Sequence, residues 1–130
     1  MEKYRSEVTD IGPEALSLME VDLLIIFNNN APPELAEITV MHTIEDLKED
    51  VVVGDVITLG GHDYDVVYVG EEANYTLREL GHCTFYLWNE QLERKRLPGY
   101  IVINCEEKPV FEIGQPIAIN TKDQSETMTY

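Results

Sequence analysis

Three histidines, His42, His62 and His82, are the most reactive side chains in a 130-residue chain whose only other soft nucleophiles are Cys83 and Cys105. His42 closes a β-prone run, Ile38-Thr39-Val40-Met41-His42, and is followed by Thr43 and an acidic turn at Glu45-Asp46. An imidazole at the mouth of a strand can serve as nucleophile, base or ligand. Strand parity with Ile38 and Val40 turns it toward the buried face, so the competing reading is a core histidine with both ring nitrogens satisfied by backbone. His82 shares parity with Thr84 and follows Gly81, where a bare Cα would admit another backbone or a ligand. Its competing role is to stabilise the C-terminus of a preceding helix. His62, between Gly61 and Asp63, reads as a solvent-exposed loop residue with no further role.

Several reaction classes lack their motifs. No glycine-rich loop ends in Gly-Lys-Ser or Gly-Lys-Thr, no GxGxxG follows a strand, and GxSxG and HExxH are absent. The cysteines have neither CxxC spacing nor a neighbouring histidine, so both are expected to pack as small apolar residues. The carboxylate pairs Glu45/Asp46 and Asp63/Asp65 are too ordinary in so acidic a chain to mark a site.

The elements that would position these residues are mostly strands. Leu23 to Phe27 is apolar throughout, so Val21–Phe27 reads as a buried strand stopped by Asn28-Asn29-Asn30. Ala31-Pro32-Pro33-Glu34-Leu35 suits one helical turn before the strand that ends at His42. Val51–Leu59 and Tyr64–Val69 read as an antiparallel hairpin around Gly60-Gly61-His62-Asp63. Ala73, Leu77 and Leu80 recur at helical spacing, and Gly81 stands at the left-handed cap position. Strands are expected over Cys83–Trp88, Tyr100–Ile103 and around Ile117–Ile119. Arg94-Lys95-Arg96, the only basic cluster, falls in the excursion Asn89–Pro98 and reads as a solvated loop.

Length and composition predict one domain over residues 1–120 and a polar, fraying tail over 121–130. Nine Lys and Arg against 25 Asp and Glu give a formal charge of −16, which disfavours nucleic acid and anionic lipid and suits a basic partner surface. The first residues lack the apolar core of a signal peptide, and no run is long enough to span a bilayer, so a cytoplasmic protein without membrane insertion is expected. About seven short strands with one or two helices predict a mostly-β barrel or sandwich.

Three stretches carry a family resemblance: Ala31-Pro32-Pro33-Glu34-Leu35 leading to His42, Leu59-Gly60-Gly61-His62-Asp63-Tyr64-Asp65-Val66-Val67-Tyr68-Val69-Gly70, and Thr76-Leu77-Arg78-Glu79-Leu80-Gly81-His82. From about Val8 to Ile119 the chain resembles the glucitol/sorbitol-specific IIA component of the bacterial phosphotransferase system. It departs from that pattern at Asn89–Pro98, which is longer and more basic, and at Thr43-Ile44, which is less polar. The resemblance implies a pseudobarrel of two curved, mainly antiparallel sheets. It also implies a phosphoryl carrier that accepts phosphate from HPr on a histidine, here His42, and passes it to a cysteine on the IIB part of the IIB/IIC permease.

Such chemistry asks for a neutral imidazole with one nitrogen tethered and the other free to attack in line, and for donors to the equatorial oxygens. Thr43 is the candidate donor and His82 the candidate assistant. No metal, nucleotide or other cofactor is needed, because phosphohistidine is itself a high-energy donor, and an acidic surface would attract HPr. Two other readings stay open: an acidic β-barrel binding module with structural histidines, and a metal-dependent enzyme using His42, His62 and His82 together.

Overall fold

The computed structural model describes residues 1–122, so most of the expected polar tail lies outside the described residues. Eight strands are present: β1 (Glu2–Ile11), β2 (Leu23–Asn28), β3 (Val40–His42), β4 (Val56–Leu59), β5 (His62–Val69), β6 (Cys83–Trp88), β7 (Tyr100–Asn104) and β8 (Pro116–Asn120). Three short helices interrupt them, α1 (Ala15–Met19), α2 (Pro33–Ala36) and α3 (Ala73–Leu80), one more than the expected one or two. The strands close into a barrel in the order β1-β3-β2-β6-β7-β5-β4-β8. Its interior is filled by inward residues such as Leu24, Ile26, Val40, Phe85, Leu87, Ile101 and Ile103. The mostly-β, mainly antiparallel expectation therefore holds.

Only β2/β3 and β6/β7 pair in parallel. A parallel neighbour cannot be reached by a tight hairpin, because the chain must first return along the strand it has left. Residues 29–39, with α2, make that return for β3, and residues 89–99 make it for β7. The charged excursion is thus a crossover lying on the outside of the barrel.

β1 closes the barrel by changing partners. Glu2 to Glu7 pair with β8, and Val8 to Ile11 pair with β3. A register irregularity between Glu2 and Tyr4 turns consecutive residues Lys3 and Tyr4 inward, as an extra residue in a ladder does. Lys3 Nζ lies 2.8 Å from Asp55 Oδ2 and 2.9 Å from the Asp50 carbonyl. Asp55 Oδ2 also accepts the Val52 N–H at 3.0 Å, which pulls Val52–Asp55 into a turn with Gly54 at φ 98°. This turn corrects the expectation of a strand from Val51: β4 begins only at Val56.

The Lys3–Asp55 side chains are both 4% exposed, so deleting one partner strands a buried charge. Asp55→Ala should lower unfolding stability by about 3 to 5 kcal/mol, and the Lys3→Met/Asp55→Leu pair should recover most of that loss. Urea unfolding checks both, and a single variant within about 1 kcal/mol of wild type would contradict the assignment.

Candidate active site

His42 ends β3 between two strands, opposite Asn28 of β2 and Val8 of β1. Its parity with Val40 places it inward as expected, and it is 0% exposed. Both ring nitrogens meet backbone carbonyls: Nδ1 lies 2.9 Å from the Thr43 oxygen and Nε2 lies 2.8 Å from the Gly81 oxygen. A neutral imidazole has one N–H, so it can donate to only one of them. The other carbonyl then faces a nitrogen lone pair, and two electron-rich atoms are held in contact. Burial pushes the His42 pKa below its usual value, while the two carbonyls and the charge of Glu45 pull the opposite way.

Tyr4 stands over the same ring. Its hydroxyl is 3.4 Å from His42 Nδ1, and the two rings meet edge to face at 6.0 Å. Burial, helped by the nearby charges of Glu45 and Asp46, pushes the phenol up to about 12, so it remains protonated. Thr43 is pinned to β1: its N–H donates to the Glu7 carbonyl at 2.9 Å and its Oγ1 accepts the Glu7 N–H at 3.0 Å. It also lines an open cleft of about 610 Å³ with Arg5, Glu7, Glu45 and Pro116. His42 is separated from solvent by these neighbours.

The far side of the ring is closed by the end of α3. Ala73 and Leu77 anchor that helix in the core, and Gly81 caps it at φ 61°. The Gly81 N–H donates to the Leu77 carbonyl at 3.0 Å and the His82 N–H to the Thr76 carbonyl at 3.2 Å, the paired bonds of a left-handed helix stop. That turn delivers the Gly81 carbonyl to His42. A Cβ at Gly81 would stand 1.9 Å from Asn28 Oδ1 and 2.9 Å from His42 Cε1, so only glycine fits.

His82 is half-buried beside this turn. Its ring packs on Phe27 at 5.2 Å, and Nδ1 lies 3.3 Å from the Ile26 carbonyl. With the proton on Nδ1, Nε2 has no protein partner. Among the described residues no hydrogen bond joins His42 to His82; they are linked through Gly81. His62 is elsewhere, at the start of β5 and partly buried against Tyr64 at 6.2 Å, which corrects its placement in a solvent-exposed loop. No cluster of His, Cys, Asp or Glu able to hold a metal occurs among the described residues, so the three-histidine reading is not met. Cys83 and Cys105 are free, buried and pushed up by burial, the inert packing expected of them.

Two members of the site escaped sequence reasoning. Tyr4 lies in a segment too charged to read as a strand. Asn28 shares parity with the buried Leu24 and Ile26, a usable signal overridden by its place at the head of an asparagine run. Its Oδ1 is buried without a hydrogen-bond partner, facing Gly81.

The family model for the glucitol/sorbitol-specific IIA component of the phosphotransferase system matches residues 3–118. The chain is 35% identical over 98 residues to the glucitol/sorbitol-specific EIIA component of Escherichia coli K12, covering 75% of this chain and 78% of that protein. The corresponding component of Shigella flexneri matches with the same identity and coverage. The crystal structure of a phosphotransferase-system IIA component from Enterococcus faecalis V583 has the same fold, with a TM-score of 0.76 over 92% of this chain and 100% of that one at 23% identity. With a match that runs through both β1 and the Gly81 turn, the chain belongs to the glucitol/sorbitol-specific IIA component family of the phosphotransferase system.

Proposed function

We propose that His42 accepts a phosphoryl group from the phosphohistidine of HPr in the cytoplasm and passes it to a cysteine on the IIB part of a glucitol/sorbitol-type permease. Family membership makes the chain a phosphoryl carrier of a sugar phosphotransferase system. The acceptor residue, the named partners and the compartment are what the proposal adds.

The observation that carries it is the 2.9 Å approach of His42 Nδ1 to the carbonyl of its own neighbour, Thr43. A proton on Nδ1 donated there fixes the tautomer and leaves the Nε2 lone pair as nucleophile. That lone pair attacks phosphorus in line, the bond from phosphorus to the HPr imidazole breaks, and the departing nitrogen keeps the electron pair. The Nδ1–H bond to Thr43 serves the free and the phosphorylated ring alike. Nε2 is blocked by the Gly81 carbonyl, so acceptance requires the Gly81-His82 turn to swing aside, a motion that relieves the contact between lone pair and carbonyl. Asn28, whose side chain faces Gly81 on the Nε2 side, is the candidate donor for the phosphoryl oxygens there, while Thr43 and the Tyr4 phenol stand at the Nδ1 end of the ring.

A second reading is favoured by exposure. His82 is half-buried with Nε2 free, whereas His42 is fully enclosed. In this version His82 meets HPr first or orients the incoming phosphate. Incubation with phosphoenolpyruvate, enzyme I and HPr should give one acid-labile, base-stable phosphate, mapped by mass spectrometry to His42. His42→Gln should abolish it, and His82→Gln should slow acceptance by about a hundredfold to a thousandfold, the scale of one well-placed donor. Label retained on His82 in His42→Gln would transfer the acceptor role to His82.

Gly81→Ala should lose at least about 1 kcal/mol of stability through its positive φ and its clash with Asn28. Phosphoryl acceptance should fall with it by more than the folded fraction explains. Wild-type acceptance by the variant at full folding would remove the turn from the mechanism.

The lowered His42 pKa has a defined sign. The unfolded ring takes up a proton as pH falls through about 6.5 while the native ring stays neutral. The stabilisation is therefore present above pH 6.5 and is lost on acidification toward the lower native pKa. Between pH 7 and 5, wild type should lose up to about 1.4 kcal/mol per pH unit more than His42→Asn, measured by urea unfolding. Parallel pH slopes would refute the neutral buried ring.

A further inference from the structure

The crossover over residues 89–99 lays the basic cluster against aromatic rings on the barrel's outer face. Arg94 stands 5.8 Å above the Trp88 ring, Lys95 5.6 Å above Tyr86, and Arg96 5.6 Å above Tyr68. These three side chains rim a cavity of about 270 Å³ whose floor is Trp88, Tyr68, Val67 and Val102. The distribution of ion pairs sets the cluster apart. Of the nine lysines and arginines in the chain, Lys3, Arg5, Arg78, Lys108 and Lys122 are ion-paired. Lys48, Arg94, Lys95 and Arg96 have no ion-pair partner among the described residues, although acids outnumber bases 25 to nine, and of these four only Arg94, Lys95 and Arg96 adjoin one another.

Three adjacent cations left without carboxylates in such a chain remain available to an external anion. Cation–π contacts hold them in place without neutralising them. Two guanidinium groups flanking an ammonium match a phosphate monoester better than a carboxylate, because the ester offers three acceptor oxygens and about two negative charges where a carboxylate offers two oxygens and one charge. The Trp88 face and the two valines provide an apolar floor for the body of the ligand, and the volume suits something small.

We propose that this cavity binds a small phosphate monoester with a CH-rich body, of the size of a hexitol phosphate. Trp88 ends β6 while His82 precedes its start, so the cavity lies about 20 Å from His82 along the strand. The assignment stands on the pocket itself and does not depend on which histidine carries phosphate.

Trp88 is the sole tryptophan, so fluorescence excited selectively at tryptophan reports on this cavity alone. Glucitol 6-phosphate titrated at fixed ionic strength should give a saturable change and a matching rise in Tm. Unphosphorylated glucitol, gluconate and inorganic phosphate should each bind at least about tenfold more weakly, the loss expected when a charge-assisted contact or the apolar contact is missing. Arg94→Gln/Arg96→Gln should weaken the ester to the same extent, read by Tm so that the altered Trp88 environment does not interfere. It should keep wild-type phosphoryl acceptance, and His42→Gln should bind the ester normally. The proposal is overturned by no saturable response in wild type up to about 10 mM ester, by equal binding of any of the three control ligands, or by unchanged affinity in the double arginine variant.

Discussion

Two of the eight strand contacts in the barrel are parallel, and the placement of His42 and of the basic crossover follows from that. A parallel pair obliges the chain to travel back outside the sheet before it can re-enter. The first return, through α2, sets β3 beside β2 so that His42 ends level with Asn28. The second sets β7 beside β6 and leaves its connecting segment with nowhere to run except across the outer aromatic face. An all-antiparallel meander of the same strands would have neither the buried imidazole flanked on both sides nor the basic crossover.

The buried imidazole is a balance of opposed effects. Removing a ring from water favours its neutral form, whereas a carbonyl at each nitrogen favours the doubly protonated one. Desolvation prevails at His42, and the consequence is one carbonyl that has no proton to accept. The Thr43 side of the clamp is built into a strand end tied to β1. The Gly81 side rests on a single left-handed residue at a helix stop. The two halves differ in how they are held, one by strand pairing and the other by a single turn.

Legibility from residues alone varied with the physical origin of each feature. The helix ending at Gly81 was readable because period and cap are local, and the inward turn of His42 because strand parity is local too. β1 was not, since Glu2, Arg5 and Glu7 face outward and Lys3 turns inward at an irregularity made good by Asp55, more than fifty residues away in sequence. The strand expected from Val51 yields to a turn because Asp55 and Asn74 capture the Val51 and Val52 backbone groups that a ladder would have used. The basic cluster was rightly seen as exposed; its stacking on Trp88, Tyr86 and Tyr68 depends on a crossover that no local pattern announces. The resemblance to a known family drew attention to the Gly81-His82 and His42 segments, but the Gly81 carbonyl that brings them together is visible only in three dimensions.

The exchange of partners along β1 has a kinetic consequence. Glu2 pairs with Asn120 and Val8 with His42, so the seam that completes the cylinder joins the first strand to the last. Contacts of such long sequence separation are slow to form, and during synthesis β1 must wait for β8 with one backbone edge unpaired. The outward charges Glu2, Arg5 and Glu7 on that waiting strand make it a poor template for strands of other chains. Charge that disguises β1 as a loop in the sequence thereby protects the nascent chain until its own final strand arrives.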